Sequence, residues 1–157
     1  MPASGSAPLE AQPVPLRAYS RAKAMTFVHH LRVRYAECDM QGHVFNGNYL
    51  TWFDTAHTEL LREAYGPYAQ LVETGVEFVV AEASVRYRGA ARFDDELEVH
   101  VVLEPPGTSS LTSRFEVRRD GELLTEGMLR HVCVDAQTFA KAPWPQGLRT
   151  AFERYVA

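Results

Sequence analysis

The sequence predicts an α+β fold in which a curved antiparallel β-sheet wraps around one long central helix. Three observations lead there. The residues from Gly47 to Tyr65 carry an apolar stripe at helical spacing. The segments after Gly66-Pro67 alternate apolar and polar residues as strands do. No helical pattern separates those later strands, which excludes a doubly wound parallel sheet.

The first strand is expected over Phe27 to Ala36, with Leu31, Val33 and Tyr35 facing inward and His30, Arg32 and Arg34 outward. The helix follows. Tyr49, Phe53, Ala56, Leu60 and Ala64 form its stripe, with Leu50, His57 and Leu61 alongside. Gly66-Pro67 is a strong stop. At 1.5 Å per residue the helix is about 27 Å long, enough to cross a small domain.

The second strand is expected over Glu77 to Arg88. In the third, Leu97, Val99, Val101 and Leu103 alternate with Glu96, Glu98, His100 and Glu104. In the fourth, Leu111, Ser113, Phe115 and Val117 alternate with Thr112, Arg114, Glu116 and Arg118. Asp120-Gly121 marks a tight hairpin into a last strand, Leu123 to Val134. A short helix over Gly147 to Tyr155 closes the chain. The order is β-α-β-β-β-β.

The 157 residues suit one compact domain, expected over 26–157. Residues 1–25 are rich in Pro, Ala and Ser and read as a disordered tail. The net charge is −4. The tail holds Arg17, Arg21 and Lys23 against Glu10, or +2, so the rest carries −6. An acidic body argues against nucleic acid as a partner. No apolar run of about 18 residues occurs, so no membrane span is expected. Two cysteines, Cys38 and Cys133, are too few for a disulfide framework and point to a reducing, cytoplasmic setting.

The most informative stretch is Tyr35-Ala36-Glu37-Cys38-Asp39-Met40-Gln41-Gly42-His43-Val44-Phe45-Asn46-Gly47-Asn48-Tyr49-Leu50. It sets one carboxylate, Asp39, after an extended strand and before a Gly-containing turn and an Asn-rich helix start. A helix N-terminus offers unpaired N–H groups and positive potential. A carboxylate beside such donors is the minimum equipment for attack on an activated carbonyl, with Asp39 as nucleophile or general base. The bland alternative makes Asp39 an Asx-turn residue and Asn46 an N-cap.

This order and motif together resemble the hotdog fold, and within it the 4-hydroxybenzoyl-CoA thioesterase-like acyl-CoA thioesterases. The carrying residues are Arg34-Tyr35-x-x-x-Asp39-x-x-Gly42-x-Val44-x-x-x-Asn48-Tyr49-Leu50-x-x-Phe53, then Thr58-Glu59-x-Leu61-Arg62. A second signature is Val85-x-Tyr87-x-x-x-Ala91-x-Phe93-Asp94-Asp95-x-Leu97-x-Val99. The resemblance implies hydrolysis of an acyl-CoA thioester without metal or redox cofactor. It implies a homodimer joined sheet edge to sheet edge, with active sites at the subunit interface, and pairing of dimers into a homotetramer. It places the catalytic aspartate on Asp39 and the carbonyl-polarising backbone N–H on Asn46 or Gly47. Two positions depart from the family, which often has an aromatic residue or His where Asn46 stands and an apolar residue at His43. Gly42-His43-Val44-x-Asn46 is also similar to a segment of plant acyl-ACP thioesterases, which keeps acyl carrier protein open as the carrier.

His43 is expected either to orient water for Asp39 or to be a loop histidine bound to backbone. Tyr49 and Phe53 are expected to touch substrate, although core packing is the safer reading for most aromatics of this helix. Arg88 and Arg92, with Arg86, form the densest positive spot and are expected to hold CoA phosphates; the alternative is strand-end charge facing Asp94, Asp95 and Glu96. Asp54 and Glu59 read more simply as helix-surface charge than as assisting carboxylates. Cys38 reads as a small buried residue. The runner-up functions are a hotdog 3-hydroxyacyl dehydratase or hydratase and a non-catalytic acyl-CoA-binding protein.

Overall fold

The computed structural model describes residues 25–157. Apart from Met25, the tail expected over 1–25 lies outside the described residues. Met25 itself donates its N–H to the Arg154 carbonyl at 2.9 Å.

Five antiparallel strands form one sheet in the order β1-β3-β4-β5-β2. They are β1 (Phe27–Arg32), β2 (Val76–Tyr87), β3 (Glu96–Leu103), β4 (Ser110–Arg119) and β5 (Glu122–Asp135). The helices are α1 (Asn48–Ala64), α2 (Tyr68–Val72) and α3 (Gln146–Phe152), the last followed by a 3₁₀ turn, Glu153–Tyr155. The curved sheet holds α1 as expected.

The predicted inward residues of β3 and β4 are all buried, from Leu97 through Leu103 and from Leu111 through Val117. Asp120 and Gly121 both have positive φ, 48° and 81°, as the tightest hairpin turn requires. From α1, Tyr49, Trp52, Phe53, Ala56, His57, Leu60 and Leu61 are buried against the sheet. Phe53 stacks on Phe115 with ring centroids 4.6 Å apart. Gly127 of β5 makes room for that ring: a Cβ there would stand 2.1 Å from Phe53 Cε2.

Two elements differ from expectation. β1 ends at Arg32 rather than Ala36. The Val33 N–H turns to the Asp95 carbonyl and the Asp94 N–H to the Val33 carbonyl, so the chain peels off β3. Tyr35 is therefore not inward but exposed, edge-on to Phe93 at 5.8 Å. The short helix α2 was not expected, because five residues give too little periodicity to read.

The core also contains a histidine pair. His57 of α1 and His131 of β5 stack with centroids 4.2 Å apart and planes 14° from parallel. Burial holds His57 well below the ordinary imidazole value, with His131 adding to the effect. Burial likewise lowers His131 to about 4. Both rings are neutral in the fold at neutral pH, whereas unfolded imidazoles gain protons below about pH 6.5. The unfolded state binds more protons on acidification. The stability associated with neutral rings is thus complete above pH 6.5 and is lost as pH falls toward 4. For His131 the difference corresponds to about 3 kcal/mol. Denaturant unfolding at pH 7 and pH 4 should show wild type losing about 3 kcal/mol more than His131→Val; equal losses would contradict a neutral buried His131.

Candidate active site

The segment between β1 and α1 is built by Glu37. A 3₁₀ turn, Tyr35–Glu37, follows β1. The Glu37 carboxylate accepts the Arg34 N–H at 2.7 Å and the Trp52 Nε1–H at 2.9 Å. Its carbonyl accepts the Phe45 N–H at 2.9 Å and the Asn48 Nδ2–H at 2.8 Å. One residue thus ties the turn, the helix start and the second turn of α1 together.

Asp39 lies within this framework. Its N–H donates to the His43 carbonyl and its carbonyl accepts the Gly42 N–H, both at 3.0 Å. Gly42 has φ +81°, a conformation that favours glycine. The Asp39 Oδ1 accepts the Gln41 N–H at 2.8 Å. That is the Asx-turn considered from sequence, and it orients the carboxylate with Oδ2 left unengaged among the described residues. The side chain is half-buried.

Helix α1 starts without a side-chain cap, so the N-cap role weighed for Asn46 is absent. The Asn46 carbonyl accepts the Tyr87 hydroxyl at 2.8 Å. The N–H groups of Asn46 and Gly47 make no hydrogen bond among the described residues.

A cavity of about 720 Å³ joins these parts. Asp39, His43, Asn46, Tyr49 and Arg88 all line it, together with Tyr87 from the end of β2. Tyr49 is buried to 2% exposure, its hydroxyl accepting the Ala91 N–H at 3.3 Å and its ring 5.3 Å from that of Tyr87. Gly47 lies next to this lining and is exposed.

Two expected substrate contacts are elsewhere. Phe53 is wholly buried in the core and does not line this cavity, because its side of the helix faces the sheet. Arg92 is exposed and outside the cavity; its N–H donates to Asp95 Oδ2 at 2.8 Å. Arg88 reaches the cavity already paired, its guanidinium 2.7 Å from the Glu126 carboxylate on β5. Glu37 and Tyr87 were not singled out from the sequence, although both stand inside its motifs. Cys38 is half-buried beside the turn. Among the described residues no group of three or more His, Cys, Asp or Glu side chains is arranged to hold a metal ion.

A family model described as the thioesterase-like superfamily matches residues 33–152. The acyl-CoA thioester hydrolase YbgC of Escherichia coli O6:H1 is 30% identical over 125 residues, spanning 79% of this chain and 93% of its own length. Among solved structures, the Thermus thermophilus protein TT1821 aligns with a TM-score of 0.76 at 33% identity, covering 82% of this chain and 98% of that one. The BH1999 gentisyl-coenzyme A thioesterase aligns with a TM-score of 0.73 at 26% identity, covering 80% and 98%. These likenesses establish the hotdog architecture expected from the motif.

Glu37→Ala removes the acceptor of the Trp52 indole and the Arg34 amide. It should cost about 1–3 kcal/mol of stability, read by denaturant unfolding. An unchanged midpoint would show that the loop is held by other contacts.

Proposed function

The chain belongs to the thioesterase-like superfamily and is a thioester hydrolase, and on that premise we propose that it cleaves acyl-CoA thioesters at the Asp39 cavity. The observation that carries this reading is the meeting, in one cavity, of an oriented carboxylate and a helix start with unengaged N–H groups. A thioester is already activated, so this equipment is chemically sufficient.

The carbonyl oxygen faces the N–H groups of Asn46 and Gly47, which stabilise the negative charge that develops there. Asp39 Oδ2 then attacks the carbonyl carbon, or removes a proton from a water that does. In the first case loss of the CoA thiolate breaks the C–S bond and leaves an acyl anhydride on Asp39. Water hydrolyses it to the free acid and the restored carboxylate, with a proton going to the thiolate. In the second the water oxygen displaces the thiolate directly, and the proton held by Asp39 passes to the departing sulfur. His43, on the same cavity wall, holds the attacking water. Tyr87 fixes the loop by gripping the Asn46 carbonyl. Arg88 reaches the cavity mouth as a phosphate contact, and Glu126 holds its guanidinium in place.

The same reading includes a homodimer or homotetramer. β2 is an edge strand of twelve residues whose Val80 and Tyr87 are exposed. Pairing of two β2 edges satisfies their outward backbone groups. Light scattering should give a mass of two or four chains, and a single chain would contradict this arrangement.

Replacing Asp39 by Asn keeps the shape and removes the base or nucleophile. Turnover should fall by about 10²–10⁴-fold or more, with little change in CoA affinity. Near-native hydrolysis by Asp39→Asn would sink the assignment.

A further inference from the structure

The thioester chemistry makes no use of a second cavity, of about 180 Å³, between the latter half of α1, α2 and the start of β2. Leu61, Leu71, Phe78 and Val80 give it apolar walls. His57 and His131 are also part of its lining. They are 3% and 2% exposed. His57 Nδ1 lies 3.0 Å from the Ser113 hydroxyl. Among the described residues, His57 Nε2 and His131 Nδ1 have no hydrogen-bond partner. Buried polar atoms are nearly always paired, so two unmatched ring nitrogens on residues that line one small cavity are the polar groups a ligand entering it would meet.

The two cavities follow the same seam. The Asp39 cavity takes the start of α1 and the end of β2, and the second takes the later part of α1 and the start of β2. His57 stands nine residues beyond Asn48, or about 14 Å further along the helix axis. An acyl group with its carbonyl at the helix start would have to extend by that distance along α1 to bring its far end to the histidine pair.

We propose that the cavity beside His57 and His131 receives the distal end of a medium-length acyl chain and selects one that ends in an uncharged hydroxyl. This rests on the thioesterase reading. A neutral imidazole has one donor and one acceptor nitrogen, and a hydroxyl can serve either. Burial keeps both rings neutral, so they give an anion no charge to pair with. The carboxylates of Asp54 and Glu77 on the lining repel a chain that ends in a carboxylate. Arg62, also on the lining, is engaged by Glu59 at 3.3 Å.

The experiment compares hydrolysis of dodecanoyl-CoA and ω-hydroxydodecanoyl-CoA by wild type, His57→Leu, His57→Gln and His131→Val. Wild type should favour the hydroxylated substrate in kcat/KM by about tenfold or more. That ratio should collapse toward one in His57→Leu and in His131→Val. It should survive in His57→Gln, whose amide replaces the Nε2 position. A merely structural histidine would change melting without moving the ratio. No preference in wild type, or the same preference in both apolar variants, overturns the inference and leaves the ring nitrogens to water. Hydrolysis with no preference still upholds the thioesterase reading. If neither C12 ester is cleaved, the thioesterase reading is decided by acyl-CoAs of other lengths and kinds, and ring ¹⁵N spectra with free ω-hydroxydodecanoic acid decide the cavity. Shifts at both histidines support it, and unchanged spectra reject it.

Discussion

Glu37 is the constraint on which the site depends. Its carboxylate and carbonyl accept four hydrogen bonds, from Arg34, Trp52, Phe45 and Asn48. Charge-assisted bonds to a carboxylate are stronger than neutral ones, and here one of them reaches fifteen residues along the sequence, to Trp52. The crossing from sheet to helix is thereby fixed at both ends. Asp39 lies two residues beyond Glu37, in a turn closed by Gly42, and its direction follows from that anchoring. The bland and the functional readings of Asp39 are compatible: the Asx-turn through Oδ1 is what orients Oδ2.

The core sets the second constraint. Phe53 on Phe115, with Gly127 beneath, brings α1 against the middle of the sheet. The helix is then held beside the edge strand β2, and the seam between them accommodates both cavities. The end of β2 supplies Tyr87 and Arg88 to one, and its start supplies Phe78 and Val80 to the other. On the proposed reading, thioester attack and selection of the acyl end are functions of two positions along one helix. An exposed, twelve-residue edge strand beside that helix also explains why assembly and catalysis share a region in this reading.

The strands and the long helix were legible because their periods are strong. Leu97 to Leu103 alternates without a break, and Tyr49 to Leu60 keeps one face. The Asp39 turn was legible because Gly42 and the Asn-rich helix start are local signals. What escaped was non-local. Glu37 meets Trp52, and His57 meets His131 across 74 positions of sequence, and no period reports either pair. The alternation of β1 runs on into Tyr35, but the partners of Val33 change from β3 to the Asp94–Asp95 loop, which only the fold reveals. Phe53 lies on the same helical stripe as Tyr49, and spacing alone does not separate core from cavity wall. The Glu126 partner of Arg88 depends on the register of β2 with β5.

The central claim is that this carboxylate-and-helix arrangement cleaves acyl thioesters. The most direct measurement is thiol release by the wild-type chain from acyl-CoAs spanning short, medium and long aliphatic chains and aromatic acyl groups, with acyl-loaded carrier protein included. The account expects stoichiometric thiol and free acid from at least one member. No release from any CoA ester or carrier-protein thioester, despite binding of the CoA esters, would contradict it and leave a protein that binds acyl groups without turning them over.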